Sequence, residues 1–183
     1  MRTYKTEGII LKRSNFGEAD RLLTIFTKHY GKIHVRAPGA RKTLSRKAAH
    51  LEVFNLSTIF LVQGKTLDIL TEAQTISNFG NLKKELQKIA TAYYMCELVD
   101  GLCPERQENR EVFELLTEKL TNLEIINISS PINTREQYSN QLLWILGYLP
   151  RTKMLKGEDV ESFIENILER KLKSRKLLRK IEE

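Results

Sequence analysis

The sequence predicts an α+β protein: an N-terminal five-stranded OB-fold β-barrel over residues 1–78, followed by an all-α helical domain over residues 79–183. Hydrophobic residues recur at the spacing of strands up to the segment Asn78-Phe79-Gly80-Asn81, and at helical steps of three and four after it. The charge also changes there, because residues 1–78 hold 13 Lys or Arg against 6 Asp or Glu, whereas the remainder holds 17 of each. The net charge of +7 therefore lies in the first part, which favours a polyanion partner for the barrel.

Each of the five strands is predicted from a β-rich run bounded by turn residues. The predicted strands are Tyr4–Ser14, Arg21–Thr27, Lys32–Ala37, Leu51–Val62 and Leu67–Thr71. The third strand alternates apolar and polar residues after Gly31, which suits the positive φ of a tight turn. A longer connection between the third and fourth strands, with a candidate short helix at 45–50, is typical of an OB-fold. An SH3-like barrel is the alternative that strand counting leaves open.

The connection between the third and fourth strands carries the candidate binding site. The stretch from His34 to Lys47 reads HVRAPGARKTLSRK, contains no acidic residue, and is shaped by Pro38 and Gly39 where the strand ends. The candidate contacts with a phosphate backbone are Arg36, Arg41, Lys42, Arg46 and Lys47. Phe16 or Tyr30 is a candidate to stack on a base. The other barrel aromatics are predicted in the core, namely Phe26, Phe54 and Phe60.

Four helices are predicted in the second part from apolar stripes at helical spacing. The first helix carries the stripe Leu82, Leu86, Ile89, Tyr93, Cys96, Val99 and Cys103. The others are predicted at Glu111–Leu123, Arg135–Leu146 and Val160–Ile181, with a connector broken by Pro131 and a helix end at Gly147. The last helix is predicted to dock with an outer face made basic by seven Lys or Arg residues between positions 170 and 180.

No motif in the sequence indicates catalysis or metal binding. His29, His34 and His50 are not spaced with Cys, Asp or Glu as a metal site requires, and Cys96 and Cys103 are predicted as buried, inert core thiols. The acids that a nuclease would use for Mg²⁺ show no convergent spacing; they are Glu18, Asp20, Asp68 and Glu72. The phosphate-loop, GxGxxG and GxSxG patterns do not occur. We therefore expect no catalytic residue, no metal and no cofactor.

The sequence also predicts a cytoplasmic protein with no membrane association. No run approaches the roughly 18 apolar residues of a membrane helix, and the N-terminal stretch is too mixed for a signal peptide. Two cysteines do not make a disulfide framework, which is consistent with a reducing compartment.

Several short blocks, taken in order, resemble the RecO family of DNA repair proteins. They include TEGIILK at 6–12, GEADRLLT at 17–24, APGARK at 37–42 and LGYLP at 146–150, and the resemblance covers about residues 3 to 150. It implies a recombination mediator without catalytic turnover that binds single- and double-stranded DNA and anneals complementary strands. With the partner RecR, such a protein helps RecA to displace single-stranded-DNA-binding protein.

The resemblance also assigns the basic residues and one partner surface. Matching the family's basic loop places Arg36, Arg41, Lys42, Arg46 and Lys47 on DNA. The helical domain is expected to receive the acidic C-terminal tail of the single-strand-binding protein.

One departure from the family pattern follows the LGYLP block. Many members carry a four-cysteine zinc element there, whereas this chain reads RTKMLKGED without cysteine. We therefore expect no zinc and a plain loop over Arg151–Asp159. Two other functions remain open from the residues alone: a protein-interaction adaptor that works through its helical part, and an RNA-binding OB-fold protein.

Overall fold

The structure, a computed structural model, describes residues 2–125 and 131–182. The described residues fall into two compact units: those within Met1–Asn78 and Pro104–Phe113, and those within Phe79–Cys103 and Glu114–Glu183. The strands all belong to the first unit. Across these described ranges, no helix combines the length and the apolar character needed to cross a membrane.

The strands are β1 Thr3–Phe16, β2 Asp20–Thr27, β3 Gly31–Ala37, β4 Leu56–Val62 and β5 Asp68–Ser77. They close into a barrel in the order β1-β2-β3-β5-β4. Neighbouring strands are antiparallel except β3 and β5, which run parallel and pair Val35 with Asp68. This is the strand order of an OB-fold, so the predicted α+β class with an N-terminal OB-fold barrel is confirmed.

Alternation along the strands fills the barrel core. In β3, Ile33, Val35 and Ala37 are buried, while Arg36 between them is exposed. All three buried residues belong to one apolar cluster that also includes Ala40, from the connection after β3. The first turn of the basic connection is therefore fixed in the barrel core.

The predicted fifth strand, Leu67–Thr71, is too short at its C-terminal end, because β5 continues to Ser77. The added residues are mostly polar and alternate between exposed and half-buried, so no apolar pattern marks them in the sequence. They are held by the antiparallel ladder to β4, which runs until Leu56 pairs with Ser77.

The predicted fourth strand, Leu51–Val62, begins five residues too early. Leu51 instead ends a 3-10 helix, Ala48–Leu51, which is the observed form of the short helix predicted at 45–50. Phe54 then adopts a φ of +76°, and its N–H donates to the Ile10 carbonyl at 2.9 Å. A strand cannot pass through this left-handed residue, so β4 starts only at Leu56.

The core assignment of the barrel aromatics holds for two of three residues. Phe26 and Phe54 are buried, but Phe60 is only half-buried, and the Lys5 ammonium lies 5.2 Å from its ring centroid. Its neighbours Ile59 and Leu61 are buried on the opposite face of β4. The alternation of the strand therefore places Phe60 on the outer face of the barrel.

The segment Pro104–Phe113, here called the returning segment, packs with the barrel. The Arg106 N–H donates to the Lys32 carbonyl at 2.8 Å, and the Arg106 guanidinium lies 3.2 Å from the fully buried Asp68 carboxylate. The ion pair satisfies a carboxylate that would otherwise be costly to bury. The returning segment is thus part of the barrel unit, although it lies 26 residues beyond Asn78 in the chain.

The helices are α1 Leu86–Leu102, α2 Arg110–Ile125, α3 Pro131–Leu146, α4 Glu158–Leu168 and α5 Ser174–Glu182. In the second unit, α3, α4 and α5 all contact α1. The predicted single stripe on α1 is therefore too narrow, since Ala92 and Met95 are buried as well as Cys96. It is also wrong at two positions, because Leu86 is 58% exposed and Tyr93 is 42% exposed.

The predicted second helix is confirmed as α2, and its predicted inward residues are all buried: Val112, Leu115, Leu116, Leu120 and Leu123. The third helix starts at Pro131 and not at Arg135 as predicted. Proline lacks an N–H and has a fixed φ, both of which suit the first turn of a helix. Residues 126–130 of the predicted connector lie outside the described residues. Gly147 ends α3 with a φ of +78°, as predicted.

The single last helix predicted over Val160–Ile181 is wrong, because the chain forms α4 and α5 with a break between them. Glu169 ends α4 in the left-handed conformation, with a φ of +53°. The carboxylate of Glu97 then accepts the backbone N–H groups of Lys173 and Ser174, at 2.8 and 2.9 Å, and the Ser174 hydroxyl at 2.7 Å. A cap supplied by another helix therefore starts α5, and such a contact leaves no periodic pattern in the sequence.

We expect Glu97→Gln to lower the free energy of unfolding by about 2 kcal/mol, because a neutral amide replaces an acceptor of charge-assisted hydrogen bonds. Burial raises the pKa of Glu97, but hydrogen bonds from Ser174, Arg170 and Lys173 lower it by more than burial raises it. The pKa of Glu97 therefore lies below its ordinary value. Such a carboxylate stabilises the fold above its unfolded-state pKa and loses that contribution as pH falls through its folded-state pKa. Urea unfolding measured from neutral pH down to about pH 3 should show the free energy of unfolding of wild type falling toward that of the variant.

Glu118→Gln is the matched control for this prediction, because the Glu118 side chain is 60% exposed. This substitution should change the free energy of unfolding little at any pH. A stability difference between wild type and Glu97→Gln that stays constant into acid would contradict the lowered pKa.

Candidate nucleic-acid interface

The basic loop, residues 36–47, is fixed to the turn between β1 and β2 by one carboxylate. Asp20 accepts the Gly39 N–H at 2.8 Å with one oxygen, and the Arg36 guanidinium at 2.7 and 2.6 Å with the other. The Arg41 N–H donates to the Ala19 carbonyl at 2.8 Å. The loop therefore has a defined shape before any ligand binds.

Asp20 is charged at neutral pH. The hydrogen bond from the Gly39 backbone, together with the Arg36 guanidinium, holds the pKa of this carboxyl below its ordinary value. Asp20 was predicted to be a solvated turn residue and not a metal ligand, and the structure shows it as the anchor of the loop. The sequence does not mark this role, because the partners Gly39 and Arg36 lie 19 and 16 residues away from Asp20.

Three of the predicted site residues present their charged groups to solvent. Lys42 and Arg46 are exposed, and within the described part of the chain neither side chain has a hydrogen bond or salt bridge. Arg41 is also exposed and donates one hydrogen bond to the Gly17 carbonyl, at 3.1 Å. A guanidinium has five N–H donors, so Arg41 keeps most of them for a ligand.

The other two predicted site residues are already engaged within the barrel. Arg36 is paired with Asp20, and its guanidinium carbon lies 5.5 Å from the Phe16 ring centroid. Lys47 is half-buried and donates to the Leu70 carbonyl at 3.2 Å, and burial lowers its pKa. The predicted residues thus share one surface, but Arg36 and Lys47 hold the loop in place while the other three face outward.

A groove runs between the basic loop and the face of β5. Its volume is about 610 Å³, and its walls include Lys42, Arg46, Lys47, His50, Thr71 and Glu72. The predicted fifth strand ends at Thr71, so the part of the β5 wall that begins at Glu72 was not predicted. An elongated anion can lie along such a groove with cations on one side.

The two aromatic candidates differ in position. Phe16 lies beside Arg36 and is partly exposed, so it remains close to the basic loop. Tyr30 lies in the turn after β2, at the other end of that strand, and packs on Tyr4 with ring centroids 4.6 Å apart. Of the two, only Phe16 adjoins the predicted contacts.

The histidines pair with separate partners. His29 Nδ1 lies 3.7 Å from Glu108, His34 Nε2 lies 2.8 Å from Glu105, and His50 Nδ1 lies 2.8 Å from the Thr75 hydroxyl. Among the residues that the structure describes, no group of three or more His, Cys, Asp or Glu side chains is placed to hold a metal ion. Cys96 and Cys103 are both buried, as predicted, and burial raises the pKa of Cys96.

Asp20→Asn is expected to loosen the basic loop without unfolding the barrel. The amide can still accept the Gly39 N–H, but it loses the ion pair with Arg36. Hydrogen exchange of the amides of residues 39–42 should accelerate about tenfold relative to wild type. The pKa of Asp20 is lowered in the folded state, so wild type should keep its slow exchange at pH values above the unfolded-state pKa of Asp20. Its exchange rates should approach those of the variant only as pH falls through the folded-state pKa of Asp20.

Glu18→Gln is the control, since it makes the same charge change on an exposed neighbour. Equal exchange rates in wild type and Asp20→Asn at neutral pH would show that the carboxylate does not anchor the loop.

Two family models match the chain. The model described as Recombination protein O N terminal matches residues 1–79, and the model described as Recombination protein O C terminal matches residues 83–153. The boundary between the two models falls close to the change from strands to helices.

Curated relatives carry the same name. The chain is 42% identical over 151 residues to the DNA repair protein RecO of Roseiflexus sp. (strain RS-1), covering 82% of this chain and 52% of that protein. It is 37% identical over 150 residues to the DNA repair protein RecO of Dehalococcoides mccartyi, covering 82% and 58%. With the RecO of Gloeothece citriformis it is 42% identical over 123 residues, covering 67% and 44%. The chain spans about half the length of the curated relatives it matches.

Proposed function

Because the chain belongs to the RecO family of DNA repair proteins, we propose that it acts in DNA repair and recombination by binding DNA through its basic loop. The observation that carries this proposal is the outward placement of Arg41, Lys42 and Arg46 on a loop anchored by Asp20. An anchored loop loses little conformational freedom on binding, so more of the phosphate contact energy appears as affinity.

The binding mode is contact with the sugar-phosphate backbone. Cations on the loop would neutralise several phosphates and release their counterions, which gives affinity with little sequence preference. The groove along β5 would guide the strand, and Phe16, which lies beside Arg36, would stack on a base. Because this mode reads the backbone, it accepts single- and double-stranded DNA.

Annealing follows from the same physical basis. Two complementary strands repel each other through their phosphates, and partial neutralisation by bound protein lowers that repulsion. The proposed activity is therefore strand annealing by a mediator that has no catalytic turnover and works in the cytoplasm.

The proposed protein partners follow from the family. RecR would act with this chain, the acidic C-terminal tail of the single-strand-binding protein would dock on the helical unit, and RecA would be loaded indirectly onto the uncovered DNA. The basic outer face of α5, with Lys176, Arg179 and Lys180 exposed, supports an acidic partner for that unit.

Fluorescence anisotropy tests the proposal. Labelled single-stranded DNA, the matching duplex and an RNA of the same sequence are titrated with the protein at about 50 and 200 mM salt. We expect both DNA forms to bind at low salt and to lose at least about tenfold in affinity at high salt. Mixing of complementary strands with a donor and an acceptor dye then measures annealing.

Two outcomes would contradict the proposal. Failure of wild type to bind DNA at low salt would favour the protein-interaction adaptor, whose working surface is the charge-balanced helical part. Much tighter binding to RNA than to DNA would favour the RNA-binding alternative, which depends on contacts with the 2′-hydroxyl.

A further inference from the structure

Leu44 is an apolar residue at the tip of the basic loop, and its side chain is 93% exposed. Its neighbours Lys42, Thr43 and Arg46 are exposed too, so the leucine stands among cations and not beside other apolar side chains of the loop. It also lines the groove that runs along β5. A single exposed apolar residue is common on protein surfaces, so its setting must carry the argument.

The tip is a hydrogen-bonded turn. The Ser45 N–H donates to the Lys42 carbonyl at 2.9 Å, which places Thr43 and Leu44 at the two central positions of a turn. The Lys42 N–H donates in turn to the Gly39 carbonyl at 3.1 Å, and the Gly39 N–H donates to the Asp20 carboxylate. A continuous series of hydrogen bonds thus holds Leu44 outward from the barrel.

Charge complementarity indicates which ligand this tip contacts. Cations on both sides of Leu44 attract a polyanion, and the apolar surfaces that a nucleic acid offers are the faces of its bases. Side chains such as leucine are known to wedge between adjacent bases and to unstack them. In a loop that only neutralised phosphates, an apolar tip would contribute nothing to binding.

We infer that Leu44 inserts between adjacent bases of the bound strand, so that the basic loop unstacks nucleic acid as well as neutralising it. This inference rests on the proposed function and deepens it, because it names the base step as a second contact beside the phosphates. An unstacked step frees its bases to reorient, which would favour both the opening of a duplex end and the search for a complementary strand.

The test uses 2-aminopurine, whose fluorescence rises when the base is unstacked. Single-stranded and duplex oligonucleotides carry the probe at one central position, and an anisotropy label on the same strand reports binding independently. Wild type, Leu44→Ala, Leu44→Met and the control Thr43→Ala are compared at saturating protein. Circular dichroism and thermal melting verify that each variant is folded.

We expect wild type and Thr43→Ala to raise the 2-aminopurine signal by about twofold or more, and Leu44→Ala to abolish the rise. The affinity of Leu44→Ala should fall by no more than about tenfold, because phosphate contacts remain. Leu44→Met should restore the signal, since methionine has a similar volume and an adaptable shape.

Two results would overturn the inference: binding by wild type without any rise in the probe signal, or an equal rise with Leu44→Ala. Absence of any anisotropy change with wild type would overturn the proposed function itself, and the separate label makes that failure distinguishable from the loss of unstacking alone.

Discussion

Reversing Arg41, Lys42 and Arg46 together to Glu is expected to weaken binding to single-stranded DNA by about 100-fold or more at low salt. These three side chains point their charges to solvent, and the change both removes phosphate contacts and adds repulsion. The fold should survive, because none of the three is buried and the loop keeps its anchor at Asp20. Anisotropy titration measures the affinity, and circular dichroism measures the fold.

The matched control is the reversal of Arg151, Lys153 and Lys156, which makes the same change in net charge on exposed side chains of the connection between α3 and α4. This reversal should reduce the affinity for DNA only a few-fold, through the change in the overall electrostatic potential of the protein. Equal losses in the two variants would mean that net charge, and not the basic loop, determines binding.

Gly31→Ala is expected to destabilise the barrel unit by about 3 kcal/mol, the largest effect that we anticipate for a single substitution. Gly31 has a φ of +63°, and a Cβ there would lie 2.0 Å from the Gln107 carbonyl oxygen. That atom belongs to the backbone of the returning segment, so relief requires the segment to move off the barrel. The hydrogen bond between Arg106 and Lys32 would be lost with it.

Gly17→Ala separates the two causes of this effect. Gly17 has nearly the same φ, +58°, but a Cβ there would meet nothing within 4 Å. It should therefore show only the backbone cost, about 1 kcal/mol. Urea unfolding gives both values, and limited proteolysis of residues 104–113 should be faster in Gly31→Ala alone. Similar stability losses in the two variants would contradict the role of the contact with Gln107.

The barrel was predictable wherever burial alternates. In β3, Ile33 and Val35 face inward and Arg36 faces outward, and this period of two is visible in the sequence. The second half of β5 was not predictable, because it is polar and is held by backbone pairing with β4. The start of β4 was missed because Phe54, an ordinary strand former, has a positive φ.

The helical part shows where periodicity stops being informative. α2 has one buried face, and its stripe was read correctly. α1 contacts α3, α4 and α5, so its buried surface exceeds one stripe and two apolar positions, Leu86 and Tyr93, are left exposed. The break between α4 and α5 depends on Glu97, more than 70 residues away in sequence. Contacts at such separation leave no local pattern.

Amino-acid composition located the candidate site but did not distinguish the roles of its residues. Charge and the Pro38-Gly39 turn indicated the loop, and all five predicted cations lie on or beside it. Their different roles depend on partners that the sequence does not mark: Asp20 for Arg36 and the Leu70 carbonyl for Lys47. The exposure of Leu44 was equally hidden, since leucines are more often buried.

The salt dependence of DNA binding tests the central claim most directly, because its slope counts the phosphates that the protein neutralises. The dissociation constant for single-stranded DNA is measured at several salt concentrations for wild type and for the Arg41, Lys42 and Arg46 triple-Glu variant. Each phosphate contact contributes about 0.7 to the slope for single strands, so the variant should have a slope lower by about 2. Parallel lines for the two proteins would contradict the claim that these three side chains contact the DNA backbone.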